Sequence, residues 1–196
     1  MKALEWIRFL EEQRTRYGKV LFRVTELANA AGRDSHALNV ELSRLLKKGV
    51  LVRYANGLYG EPGAVNVEQL TVALDPGAYI TGLYALHRHN LITQVPVEIT
   101  CFTNRAHSHS RKRKTPLGGM MFVHVSPQIY CRPRKGVIAG PEQAFCDFVY
   151  LARRRGVDPL SLLTFRNLEK LRVRELSAML KKYPTTVADA VREITG

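Results

Sequence analysis

SHALNVELSRLLKKGVLVRYANGLYG, residues 35–60, changes period in its middle. Leu38, Leu42, Leu45 and Leu46 recur at helical spacing. The first half therefore reads as an amphipathic helix over 36–48, capped by Ser35 and closed by Gly49. Leu51 to Tyr54 and Leu58 to Tyr59 then read as two short strands. Asn56-Gly57 between them is the strongest local hairpin signal in the chain. Working back toward the N-terminus, a first helix is predicted over about 3–16, with Leu4, Ile7 and Leu10 or Glu11 inward and Gly18 as its stop. Phe22-Arg23-Val24 fits a short strand or turn. Thr25 can cap a second helix through Ala31, with Leu27, Ala28 and Ala31 inward, and Gly32 ends it in left-handed geometry. Helix, helix, turn, helix and hairpin, over about 5–61, make a winged helix-turn-helix. Glu61-Pro62-Gly63 marks a boundary, which gives a DNA-binding domain over 1–63 and a second domain over 64–196.

Working forward, the remainder is mixed. Val67 to Leu74 is predicted helical, and Asp75-Pro76-Gly77 breaks that helix. Another helix is expected over about 79–89. Val97 to Phe102 reads as a strand, residues 103–119 as a basic loop or irregular hairpin, Met120 to Val125 as a second strand and Gly136 to Ile138 as the start of a third. Pro141 is well placed as the first residue of a helix whose core stripe is Phe145, Phe148, Val149 and Ala152. Two further helices are expected over 167–182 and 186–194. The fold class is α+β: an N-terminal winged helix-turn-helix followed by a mixed α+β C-terminal domain.

Composition narrows the function. The chain has 196 residues with 30 Lys+Arg against 17 Asp+Glu, a formal net charge of +13. A basic chain of this kind suits nucleic acid or an anionic surface. The excess is +4 over residues 1–63, +4 over 64–150 and +5 over 151–196, so any basic surface must be assembled by folding rather than carried by a tail. No apolar run approaches the ~18 residues of a membrane span, and the N-terminal segment lacks the apolar core of a secretory signal. Three widely spaced cysteines fit reduced thiols in a cytoplasm.

The helix over 36–48 carries the sharpest candidate site. With Leu38, Leu42 and Leu45 at the core, its other side holds His36, Asn39, Val40, Ser43, Arg44 and Lys47. His36 and Asn39 suit base edges, Val40 a thymine methyl, and Arg44 and Lys47 phosphates. The bland alternative is a solvated face on a packing or protein-docking module. Arg53, Tyr54 and Asn56 are the candidate contacts of the wing, with Arg53 directed at phosphate or a minor groove. Arg105, Arg111, Lys112, Arg113 and Lys114 form a second basic cluster, a loop suited to phosphates or an acidic partner. Arg153-Arg154-Arg155 suits the negative end of a helix dipole.

Metal and catalytic signals are thin. Cys101, His107, His109, His124 and Cys131 lack the compact pairs of a zinc site. His87 and His89, on a helix, would point about 200° apart. No metal and no cofactor are expected. Nucleotide-binding, P-loop, metalloprotease and serine-hydrolase motifs are all missing. A metal-dependent nuclease would have to use Glu98 with Glu142 or Asp147, but Asp147 equally fits a polar position between core Phe145 and Phe148.

Three segments together carry a family resemblance. FRVTELANAAG, LSRLLKKGVLVR and GLYGEPG span the N-terminal part. DPGAYITGLYALHRHNLITQVP, residues 75–96, holds Pro76, Gly77, Tyr79, Ile80, Ala85, Leu86, Leu91, Gln94 and Pro96. VIAGPEQAFCDFVYL, residues 137–151, holds Ala139, Pro141, Glu142, Ala144, Asp147 and Tyr150. Over about 20–190 the chain resembles the AbiEi-type antitoxin and transcriptional-regulator family of type IV AbiE toxin–antitoxin systems. Thr81 stands where that family has serine, and Gln143 where it has lysine. The resemblance implies a cytoplasmic repressor that binds inverted repeats in double-stranded DNA upstream of its own operon. It also implies a C-terminal domain that counteracts a nucleotidyltransferase-like toxin, not necessarily by direct binding. Solitary regulators share this architecture, so a regulator without a toxin is an alternative, as is a nucleic-acid or protein docking adaptor.

Overall fold

The computed structural model describes residues 2–106 and 112–196, with the side chains of residues 35–37 outside that description. The chain is mixed α and β with two sheets, and it divides into two compact units. One comprises residues up to Ala73 together with Lys114–Leu117. The other comprises Leu74–Arg113 and Gly118–Gly196. No helix among the described residues is long and apolar enough to cross a membrane.

The first unit begins with helix α1, Ala3–Tyr17, whose start is capped by the Glu5 carboxylate accepting from the Lys2 N–H at 2.8 Å. Its inward residues are Trp6 and Leu10, not Leu4 and Ile7, which are 59% and 46% exposed. The large indole takes the helix's deepest position and turns the inward face by about a quarter turn, with Leu10 common to both. Strand β1, Leu21–Arg23, leads directly into α2, Val24–Ala31. Thr25 is not its cap. Arg23 holds that position, and Glu26 closes back onto the Arg23 N–H at 2.7 Å. Helix α3 is Ser35–Lys47, with Leu38, Leu42 and Leu45 buried as the spacing predicts.

Strands β2, Val52–Ala55, and β3, Leu58–Gly60, form the hairpin, and β1 joins it to give the antiparallel order β1-β3-β2. Arg53 pairs with Tyr59 but Ala55 with Leu58, so β2 bulges by one residue just before the turn. Gly57, at φ 68°, takes the left-handed position of that turn. Gly60 is required for a different reason: a Cβ there would lie 2.6 Å from the Val20 carbonyl. Trp6, Leu10, Phe22, Leu27, Leu38, Leu42, Leu45, Leu51 and Tyr59 meet in one core. Helix α4, Val67–Leu74, follows the span expected.

The second unit departs further from the sequence reading. Tyr79–Thr81 is strand β4, and only Gly82–Arg88 is helical (α5). β4 pairs antiparallel with β5, Glu98–Thr103, which pairs parallel with β7, Gly118–His124. Strand β6, Lys112–Thr115, completes the sheet order β4-β5-β7-β6. The expected third strand at 136–138 is a single parallel bridge, Ile80 to Ile138, with backbone bonds on either side. Helix α6, Pro141–Arg154, starts at the proline and is buried continuously from Glu142 to Val149. It is a central helix rather than a half-wet one, because the sheet side, α5 and the C-terminal helices all pack on it. The helix expected over 167–182 is broken. A short α7, Pro159–Leu162, and a 3₁₀ turn, Leu168–Lys170, precede α8, Val173–Leu180, and the chain ends in α9, Thr185–Thr195.

Candidate nucleic-acid interface

Helix α3 presents two sides. Leu38, Leu42 and Leu45 are in the core, while Asn39, Val40, Ser43, Arg44 and Lys47 are exposed. Val40 is 61% exposed, an apolar patch among polar and basic neighbours. The Ser43 hydroxyl donates to the Asn39 carbonyl at 3.0 Å, leaving its oxygen as an acceptor on the same face. The side chain of His36 lies outside the described residues.

A polar cluster behind this face fixes α3, and the sequence reading missed it. The Trp6 indole N–H donates to Glu41 at 2.6 Å, and the Arg33 guanidinium lies 3.3 Å from the other carboxylate oxygen. Burial of Glu41 favours its neutral form, but hydrogen bonds, that of the Trp6 N–H first, and nearby positive charge, Arg33 included, outweigh it and hold the carboxyl below its usual range. Helices α1 and α3 and the turn before α3 are thus pinned through one side chain. The signal was present as a lone tryptophan at helical spacing from Leu10, and a pattern of apolar residues gives no weight to its N–H.

The hairpin keeps only part of its expected contact set. Arg53 and Asn56 are exposed, and the Arg53 guanidinium donates to the Asn56 carbonyl oxygen at 2.5 Å, which folds both toward the turn. Tyr54 does not belong to the exposed set. Its ring is 2% exposed, and its hydroxyl donates to the Glu61 carbonyl at 3.3 Å. The alternation of β2 sends Arg53 out and Tyr54 in.

Of the two readings of the basic segment, the hairpin holds for residues 112–119: β6 and β7 are neighbours in the sheet, joined by a two-residue turn. Lys112, Arg113 and Lys114 belong to strand β6 at the edge of the four-stranded sheet. Lys112 pairs with Glu98 at 2.6 Å, and Arg113 lies over the Phe122 ring at 5.1 Å. Charge on an edge strand also discourages pairing with another chain. Lys114 and Arg105 are exposed, and Arg111 lies outside the described residues, as do His107 and His109.

The carboxylates considered for catalysis each have a separate partner. Glu98 takes Lys112. Glu142 accepts from the Arg172 backbone N–H at 3.0 Å and faces its guanidinium at 3.3 Å. Asp147 is fully buried and accepts three hydroxyls: Thr81 at 2.7 Å, Tyr183 at 2.5 Å and Tyr79 at 3.3 Å. Burial pushes its carboxyl up to about 7 against the pull of those hydroxyls, and it raises both tyrosines as well. Among the described residues no group of three or more His, Cys, Asp or Glu could hold a metal ion.

No family model and no curated protein matches the chain. Residues 75–96 and 137–151 pack together. Tyr79 and Thr81 reach Asp147, the Ile80 backbone bonds flank Ala139, and the His89 ring nitrogen lies 2.8 Å from the Ala139 carbonyl. Gln143 donates to the Cys131 carbonyl at 2.5 Å. A cleft of about 1040 Å³ runs between α8 and α9, with Leu168, Val173, Leu176, Leu180, Lys181 and Arg192 in its walls.

Proposed function

We propose that the chain is a cytoplasmic, DNA-binding transcriptional repressor whose first unit acts as a winged helix-turn-helix. One observation carries this reading: Asn39, Val40, Ser43, Arg44 and Lys47 stand exposed on one side of a helix whose other side is buried. Hydrogen-bonding groups, one apolar contact and two cations are the chemistry needed to read base edges and hold phosphates. The Trp6–Glu41–Arg33 cluster supports it by fixing the helix, and Arg53 and Asn56 on the hairpin supply a second contact. Within this reading, repression is occlusion of a promoter, and two copies on inverted repeats would space their sites by whole turns of the duplex.

The antitoxin role, against a nucleotidyltransferase-like toxin, rests on the resemblance in residues 75–96 and 137–151. Those segments pack against each other in the second unit. A solitary regulator would have the same DNA chemistry. A docking adaptor would bind without regard to DNA sequence. A footprint on the DNA upstream of the chain's own gene tests the repressor reading: a protected inverted repeat is expected, and equal binding to unrelated duplexes would overturn it. Co-expression with a neighbouring nucleotidyltransferase gene separates antitoxin from solitary regulator, since only the antitoxin restores growth.

A further inference from the structure

Beside the exposed face of α3 the first unit contains a cavity of about 380 Å³ with four cations in its wall, Lys2, Arg33, Arg44 and Lys48. They come from three places: the start of α1, the turn before α3, and α3 with the residue just past its end. Gathering like charges around a concavity costs free energy unless an anion offsets it. The one carboxylate in the wall, Glu41, is already held by the Trp6 N–H and Arg33. Lys2, Arg44 and Lys48 have no carboxylate partner among the described residues. The first turn of α1 opens on the same space at Ala3, adding the positive end of a fifteen-residue helix.

We propose that this cavity is a seat for a backbone phosphate of the duplex that α3 lies on, a contact that borders the recognition face and adds Lys2, Arg33 and Lys48 to it. The inference rests on the DNA-binding reading above. Duplex phosphate is favoured because Val40 and Arg44 belong to the cavity wall and to the recognition face at once. An anion in the seat is therefore next to the groove that α3 enters. Several separately rooted cations suit a phosphate, whose oxygens point in different directions, better than one planar carboxylate.

Trp6 makes the test local, because it is the single tryptophan and its indole is bonded to Glu41 in the cavity wall. Wild type and Lys2→Gln/Lys48→Gln are compared in full-length form for duplex binding across a salt series. Trp6 emission is followed with duplex and with inorganic pyrophosphate. Both lysines are exposed, so the variant is expected to fold. The expected result is a salt slope flatter by about 1, equally on operator and unrelated duplexes, with a duplex-induced Trp6 change that the variant lacks. Wild type and variant binding duplex with the same slope would overturn the seat and leave the repressor reading standing. If wild type binds no duplex, the repressor reading falls. A lysine-dependent Trp6 response to pyrophosphate would then assign the seat to a free phosphorylated ligand and overturn its DNA source.

Discussion

The Trp6 indole N–H and the Glu41 carboxylate meet at 2.6 Å across 35 positions of sequence, and this bond joins α1 to the back of α3. Glu41 has a side chain only 12% exposed, so loss of the N–H leaves a poorly solvated oxygen one partner short. Trp6→Phe is expected to cost about 1–3 kcal/mol. Leu4→Ala and Ile7→Ala, on the outer side of α1, are expected within about 0.5 kcal/mol of wild type. Urea denaturation measures all three. A cost at Leu4 equal to that at Trp6 would reverse the assigned face of α1.

On the exposed side of α3 the proposed contacts divide by chemistry into cations for phosphates and groups for base edges. Arg44→Ala is expected to weaken binding to every duplex and flatten the salt slope by about 1. Asn39→Ala and Val40→Ala are expected to relax preference at single base positions by about 1–3 kcal/mol each, with the salt slope kept. Binding to a panel of single-base operator variants separates the two behaviours. Unchanged affinity on Arg44→Ala removes that residue from the interface.

Strand β6 makes a narrower prediction than its composition does. Four phosphate contacts from residues 111–114 would flatten the salt slope by about 3–4. Lys112 is engaged with Glu98 and Arg113 with the Phe122 ring, so Lys112→Gln should leave DNA binding near wild type. Arg113→Ala should instead destabilise the second unit by about 0.5–2 kcal/mol through the lost ring contact. Lys114→Gln carries the slope change, of about 1. A large slope change at Lys112 would show that its pairing with Glu98 gives way to phosphate.

Local patterns were legible where one face of an element is wet or where a turn or cap residue marks its end. The leucines of α3, the Asn56-Gly57 turn, Pro141 at the start of α6 and the span of α4 all follow from spacing and turn chemistry. Tyr79–Thr81 did not, because a strand of three buried residues feeding directly into Gly82 has the same apolar density as a helix start. Periodicity cannot separate the two. Residues 112–115 read as a loop or an irregular hairpin, because their charge hides the choice; their alternating exposure is that of an edge strand, where cations are favoured. The site itself was half visible. Exposed groups on α3 follow from the helical wheel. The Trp6–Glu41 bond and the cavity cations are brought together only by tertiary packing.

Asp147 gives a pH dependence whose sign is fixed by its burial. Its carboxyl is raised from 3.8 to about 7 because the charged form is fully desolvated, and the hydroxyls of Thr81, Tyr183 and Tyr79 offset only part of that. Between those values the folded chain holds a proton that the unfolded chain has lost. Stability from this group is therefore complete below about pH 4 and is lost as pH rises through 7, by up to about 1.4 kcal/mol per pH unit. Asp147→Asn keeps a neutral acceptor for the hydroxyls and has no such proton to lose. Denaturation of wild type and variant across pH 4–8 should show the wild-type curve falling relative to that of Asp147→Asn. Parallel curves would mean that Asp147 is ionised in the fold throughout this range, and that the three hydroxyls suffice to hold a buried charge.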